Sequence, residues 1–352
     1  MSADQSTAKR GLLERLDAGP VIVAEGYLFE FERRGYLQAG AFVPEVVLEH
    51  PEAVRQLHIE FARAGSDVME AFTYYAHREK MRLIGREGQL EEINRNALQI
   101  AKGVADDYGT LLAGNICNTN LYDPADPESH KQARAIFEEQ VQWAVDAGVD
   151  MIIGETYSFV GEAMIALEVI EQTDLPSVMT LALHREPNTR DGTDPVDACK
   201  QMHDAGADVV GYNCIRGPWT MVQLLPELRQ KVSGHLAALP VPYRTLPAQP
   251  TFQSLRDPGC NSIPDDRPFP VALDPFVCNR YEMADFAKQA YDAGVHYIGG
   301  CCGTGPHHVR AMAEALGRQP EASRYSVDMS KHAYFGTEQS LKATNTEYAD
   351  QL

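Results

Sequence analysis

Apolar positions in this chain fall into short unbroken runs that alternate with longer stretches of helical period, about eight times over. The runs at 20–24, 66–75, 110–115, 149–156, 176–183, 207–214, 235–239 and 297–302 read as strands; the second includes its exit loop. Between them, 50–64, 89–107, 131–146, 161–171, 194–205, a stretch from 220, 282–293 and 307–317 read as helices. Asp194 suits a helix cap and Pro195 the first turn. A short helix over 11–19, closed by glycine, precedes the first strand. Strands alternating with helices predict an α/β fold with a parallel sheet. Eight repeats in about 320 residues predict a closed (β/α)8 TIM barrel over residues 1–318. The proline-rich stretch 240–270 is an irregular excursion before the last strand, and 319–352 a short polar C-terminal tail or oligomerisation arm.

In such barrels the chemistry sits at the C-terminal strand ends. Glu25, Tyr75, Glu155, Cys214, Cys301 and Cys302 all fall there. No glycine-rich dinucleotide fingerprint follows the first strand. A formal charge of -19 argues against nucleic acid and against an anionic membrane surface as partners. No apolar run approaches a membrane span, the first residues lack a basic-then-apolar signal, and seven cysteines without regular spacing suit a reducing compartment. We therefore expect a cytoplasmic protein.

Two strand ends carry thiols. Tyr297-Ile298-Gly299-Gly300-Cys301-Cys302-Gly303 ends in adjacent cysteines, and Gly211-Tyr212-Asn213-Cys214 ends in a third. Neighbouring side chains on a regular strand point to opposite faces, so aiming both sulfurs at one atom needs a distorted backbone, which the flanking glycines permit. The remaining cysteines, Cys117, Cys199, Cys260 and Cys278, are read as small core residues.

With these motifs the sequence resembles the zinc-dependent homocysteine S-methyltransferase family, most of all its betaine-using branch. The likeness extends to Gly11 through Leu16, Arg34-Gly35-Tyr36 and Glu49 through His58. It implies methyl transfer from a betaine-like onium donor to the thiol of homocysteine, giving methionine. It implies zinc held by Cys214, Cys301 and Cys302, with the fourth position left for the substrate thiol. A free thiol with a pKa of about 8.5 is mostly protonated at neutral pH, and metal binding removes that proton. The resemblance also implies a homo-oligomer.

The same resemblance assigns Glu155 to the amino group of the thiol substrate and makes Tyr75 a tyrosine near the metal. A quaternary ammonium donor calls for aromatic faces, each attracting it by about 0.5–2 kcal/mol, and Phe42, Tyr74 and Tyr75 are the candidates. Phe42 stands where the betaine-using branch commonly has tryptophan. The family's Asp-Gly-Gly after strand one is Ala24-Glu25-Gly26 here, so Glu25 is expected to supply the carboxylate from the neighbouring position, beside Gly26. Thr156 replaces an aromatic residue, and Ile215-Arg216 replaces His-Phe; Arg216 either binds a donor carboxylate or faces solvent. Three alternatives stay open at this point. The same zinc–thiolate chemistry could use another onium donor or another thiol acceptor. The protein could be a zinc hydrolase using bound water, although electron-rich all-thiolate zinc acidifies water poorly. A closed structural zinc site could take His307 or His308 as fourth ligand.

Overall fold

The computed structural model describes residues 9–338 and 340–352. Its eight parallel strands are β1 (Val21–Ala24), β2 (Val68–Glu70), β3 (Leu111–Cys117), β4 (Met151–Tyr157), β5 (Ser177–Leu181), β6 (Val209–Asn213), β7 (His235–Leu239) and β8 (Tyr297–Gly300). They follow one another in the order β1-β8-β7-β6-β5-β4-β3-β2, with helices between, which is a nearly closed (β/α)8 TIM barrel. At the seam, the Asp67 N–H donates to the Ile22 carbonyl at 2.7 Å, and the Ile22 N–H donates to the Asp67 carboxylate at 2.7 Å. Arg318 clamps that carboxylate from outside with two hydrogen bonds.

Two apolar layers hold the barrel. Inside it, Val23, Leu111, Ile153, Val178, Val209, Leu239 and Tyr297 pack together. The helix Leu12–Ala18 plugs the lower end with Leu12 and Leu16, both fully buried. Outside it, helices such as Pro51–Ala64 and Leu90–Tyr108 turn one apolar face to the sheet. Such strands read as continuous apolar runs because both faces are covered.

The strands lie where the apolar runs predicted, with different ends. β3 runs on to Cys117, past its expected end at residue 115. β8 stops at Gly300, so Cys301 and Cys302 lie in a turn rather than on the strand. That turn closes when the Thr304 N–H donates to the Cys301 carbonyl at 2.9 Å, with Gly303 at φ 91. The excursion before β8 carries short 3-10 turns at Phe252–Ser254, Pro264–Asp266 and Asp274–Phe276. Beyond the barrel come 3-10 turns at Glu321–Tyr325 and Met329–Lys331 and a helix at Ala343–Ala349, with Tyr325, Phe335 and Tyr348 exposed. Among the described residues no helix is long and apolar enough to cross a membrane.

Candidate metal centre and substrate pocket

The C-terminal strand ends bring Cys214, Cys301 and Cys302 together, with their sulfurs within 4.8 Å of one another. The chain leaves β6 through two consecutive left-handed residues, Cys214 at φ 56 and Ile215 at φ 58. That conformation costs of order 1–3 kcal/mol per residue, and more than usual for β-branched isoleucine, so it persists only where packing enforces it. Hydrogen bonds from Cys301 and Cys302 hold the Cys214 thiol well below its ordinary pKa. Burial pushes Cys301 well above its own, and the bond to Cys214 does the same to Cys302. Three sulfurs at this range, two of them buried, therefore share protons unless a cation compensates their charge. This set fits a thiophilic divalent ion such as zinc, with room for a further ligand.

No histidine among the described residues joins the three sulfurs. The Gly305 N–H donates to His308 Nδ1 at 3.2 Å, and Nε2–H donates to the Cys278 carbonyl at 2.8 Å, so both ring nitrogens are engaged elsewhere. Cys117, Cys199 and Cys278 are buried outside the cluster and Cys260 is half-buried.

Beside the sulfurs lies a small acidic cavity of about 20 Å³, lined by Glu25, Glu70, Glu155, Tyr74, Cys301 and Cys302 among others. That is room for about one water-sized group. Two strand asparagines organise the carboxylates. Asn115 donates to Glu155 at 2.7 Å and to Glu70; Asn213 donates to Glu155 at 2.7 Å and to the Thr156 hydroxyl at 2.8 Å. Glu25 Oε1 and Glu70 Oε2 are buried with no partner among the described residues. Burial, followed by repulsion from Glu155, pushes Glu25 and Glu70 well above the usual carboxylate range. Burial pushes Glu155 up to about 7. Gly26 leads out of this corner, and a Cβ there would overlap the Thr304 carbonyl.

Adjoining the acidic cavity through Leu28, Tyr74 and Cys302, a second cavity of about 230 Å³ opens outward, with Phe29, Phe42, Tyr75 and Cys214 also in its wall. Of the eight non-glycine residues with positive φ among the described residues, all but Asp265 and Asp266 line it: Phe42, Tyr75, Asn120, Thr156, Cys214 and Ile215. Backbone strain concentrated in one pocket marks a functional site. The Tyr74 and Tyr75 rings are 4.3 Å apart, and the Lys80 ammonium sits 3.9 Å over the Tyr75 ring, occupying one of its faces.

The homocysteine S-methyltransferase family model matches residues 26–316. The chain belongs to that family. It is an S-methyltransferase. It is 38% identical to the betaine–homocysteine S-methyltransferase 1 of Danio rerio over 337 residues, covering 94% of this chain and 81% of that protein. It is 36% identical to the S-methylmethionine–homocysteine S-methyltransferase of Mus musculus over 341 residues, covering 95% and 88%. The homocysteine methyltransferase MmuM of Escherichia coli, in its metallated form, shares the fold with a TM-score of 0.65 and 21% identity, over 85% of this chain and 97% of that one.

In this member of the family the residues singled out in the sequence converge on one place. Glu25 and Glu155 line the acidic cavity, Phe42 and Tyr75 the outer one, and Tyr74 both. Arg216 does neither of the things expected of it: it is half-buried and donates to the carbonyls of His184 at 2.7 Å and Leu183 at 3.2 Å. Sequence reasoning missed Glu70, Asn115 and Asn213, each a polar residue inside an apolar strand run, which was the available signal. It also missed Phe252 and Phe269, which come from the irregular excursion and carry no local pattern.

Glu70 gives a prediction of stability against pH. Its folded-state pKa lies above the ordinary 4.5, so the native state keeps a proton that the unfolded chain releases. Its contribution therefore diminishes as pH rises from about 4.5 through the raised value. Glu70→Gln keeps the shape and abolishes the titration. The variant is expected to melt about 2–6 °C above the parent at pH 8 and by clearly less at pH 5, a change worth about 1–2 kcal/mol. Thermal melts at the two pH values check this; a difference independent of pH contradicts it.

Proposed function

We propose that this methyltransferase moves a methyl group from a betaine-type onium donor to the thiol of homocysteine, giving methionine. One observation carries the reading: an acidic cavity and an aromatic pocket flank the sulfur cluster and share Cys302 and Tyr74 as common wall. Acceptor and donor approaching from these two sides meet at the sulfurs, and such alignment supplies much of a group-transfer rate. Cys214, Cys301 and Cys302 are the residues to hold zinc. Zinc there would lower the pKa of an incoming thiol and leave its sulfur nucleophilic at neutral pH.

The chain's own residues do the rest. Glu155, oriented by Asn115 and Asn213, accepts hydrogen bonds from the substrate ammonium, which fits a cavity of about 20 Å³. Glu25 offers a second oxygen from the end of β1, in the position next to the family's aspartate. Phe42 and Tyr74 attract the onium group, while Tyr75 offers it one face. Attack by sulfur on the methyl carbon breaks the carbon–nitrogen bond, its electron pair goes to nitrogen, and the product leaves as a neutral amine. No general acid is required, because the leaving amine departs neutral.

The experiment is methyl transfer by the zinc-loaded protein, with homocysteine as acceptor and glycine betaine, other betaines and a sulfonium compound as donors. Methionine from betaine is the expected result. Methionine from the sulfonium alone overturns the donor assignment, and none from any donor overturns the acceptor.

A further inference from the structure

The outer rim of the aromatic pocket carries a cation that its surroundings leave unpaired. Arg190 sits in the loop between β5 and the helix Pro195–Asp204 and lines the same cavity as Phe42, Tyr75 and Cys214. Arg216, by contrast, is engaged by two carbonyls and Arg244 by Glu282. Among the described residues the Arg190 guanidinium has neither a hydrogen bond nor an ion pair, although Asp191 is its neighbour in sequence. Asp191 is used otherwise, accepting from the Gly161 N–H at 3.0 Å and from the Thr189 hydroxyl at 2.7 Å.

The loop that presents Arg190 is built rather than slack. Its own N–H donates to the Ser158 carbonyl at 2.8 Å, and the Thr189 N–H donates to the Thr193 carbonyl at 2.9 Å. Neutral polar side chains, among them Asn118, Asn120, Ser158 and His184, line the same cavity as Arg190. His184 lies 2.8 Å from the Ser158 hydroxyl, and burial, then Arg190, keep its ring neutral. Asn118 donates to the Thr156 carbonyl at 3.0 Å. The two-cavity site is thus polarised, with three carboxyls at its inner end and a free guanidinium at its outer end.

We propose that Arg190 binds the anionic end of the methyl donor, which makes that donor a zwitterion: onium group among the aromatic side chains, carboxylate at the rim. The proposal rests on the donor-pocket reading above and narrows it. A guanidinium meets a carboxylate through two parallel hydrogen bonds, fixing orientation as well as adding affinity. A donor bearing an ammonium beside its carboxylate, as S-methylmethionine does, would bring a second cation against Arg190 and gain less. The favoured class is an onium carboxylate without an amino group.

The test compares the zinc-loaded parent with Arg190→Gln and Arg190→Lys, using glycine betaine and the carboxylate-free trimethylsulfonium ion as donors. For Arg190→Gln the KM for glycine betaine is expected to rise about 10- to 100-fold, the loss of one charge-assisted pair. The KM for homocysteine should move by less than about twofold, and Arg190→Lys should recover part of the betaine affinity. The KM for trimethylsulfonium should stay near the parent's. Calorimetric titration of glycine betaine gives the same comparison without turnover. An unchanged betaine KM in Arg190→Gln, with betaine consumed normally by the parent, overturns the role of Arg190 and leaves the donor reading standing. Equal losses with both donors overturn it as well, since the loop then acts structurally. A parent that neither binds nor consumes any onium carboxylate overturns the donor reading itself and the proposal with it.

Discussion

Cys302→Ala is expected to strip the protein of its metal and its activity while leaving the barrel folded. Cys302 is half-buried in the turn after β8, packed against the edge of the outer apolar layer rather than inside it, so truncation leaves no large cavity. Its sulfur, however, is one of three that converge within 4.8 Å. All-protein zinc sites bind with about 10–16 kcal/mol, so losing one sulfur costs roughly 3–4 kcal/mol, about several hundredfold in affinity. Metal analysis after dialysis against a mild chelator should find the parent loaded and the variant nearly empty. Methyl transfer should fall by at least about thirtyfold, because a free thiol near pH 7 is only a few per cent thiolate. Circular dichroism should be unchanged. A variant that keeps stoichiometric zinc and full activity contradicts the three-sulfur assignment.

Glu155→Gln should strike the acceptor and spare the donor. Glu155 is buried between Asn115 and Asn213, each at 2.7 Å, and an amide can keep one of those bonds while losing the charge. The expected effect is a rise of about a hundredfold in the KM for homocysteine, with the donor KM little changed. The pH dependence carries a sign. Burial holds the Glu155 carboxyl near 7, and only its ionised form pairs with the substrate ammonium. The parent's KM for homocysteine should therefore fall as pH rises through about 7 and then level off. In Glu155→Gln that fall should disappear. A variant with the parent's KM and the parent's pH profile contradicts the assignment.

The barrel was legible because a strand buried on both faces has no choice but to be apolar, and because the glycines around Cys301 and Cys302 announce a backbone that must bend. The three thiols could be read for the same reason: polar or reactive residues stood out at the ends of apolar runs. Asn115, Asn213 and Glu70 were not read, since hydrophobic periodicity does not say which polar residue inside a strand turns toward a shared cavity. Phe252, Phe269 and Arg190 reach the pocket from loops far apart in sequence, and only the tertiary path makes them neighbours. Tyr75 was recognised as a pocket residue, but not that Lys80 covers one face of its ring. Arg216 looked available for a ligand in a sequence where the carbonyls it serves, those of Leu183 and His184, are more than thirty residues away.

The most direct test of the central claim is zinc-edge X-ray absorption on the loaded protein, recorded with and without homocysteine. The expected spectrum is that of a sulfur-dominated shell that gains one further sulfur when homocysteine is added, with a proton released to the buffer. A sulfur count unchanged by homocysteine, in a protein that still makes methionine, would contradict the meeting of thiol and donor at Cys214, Cys301 and Cys302.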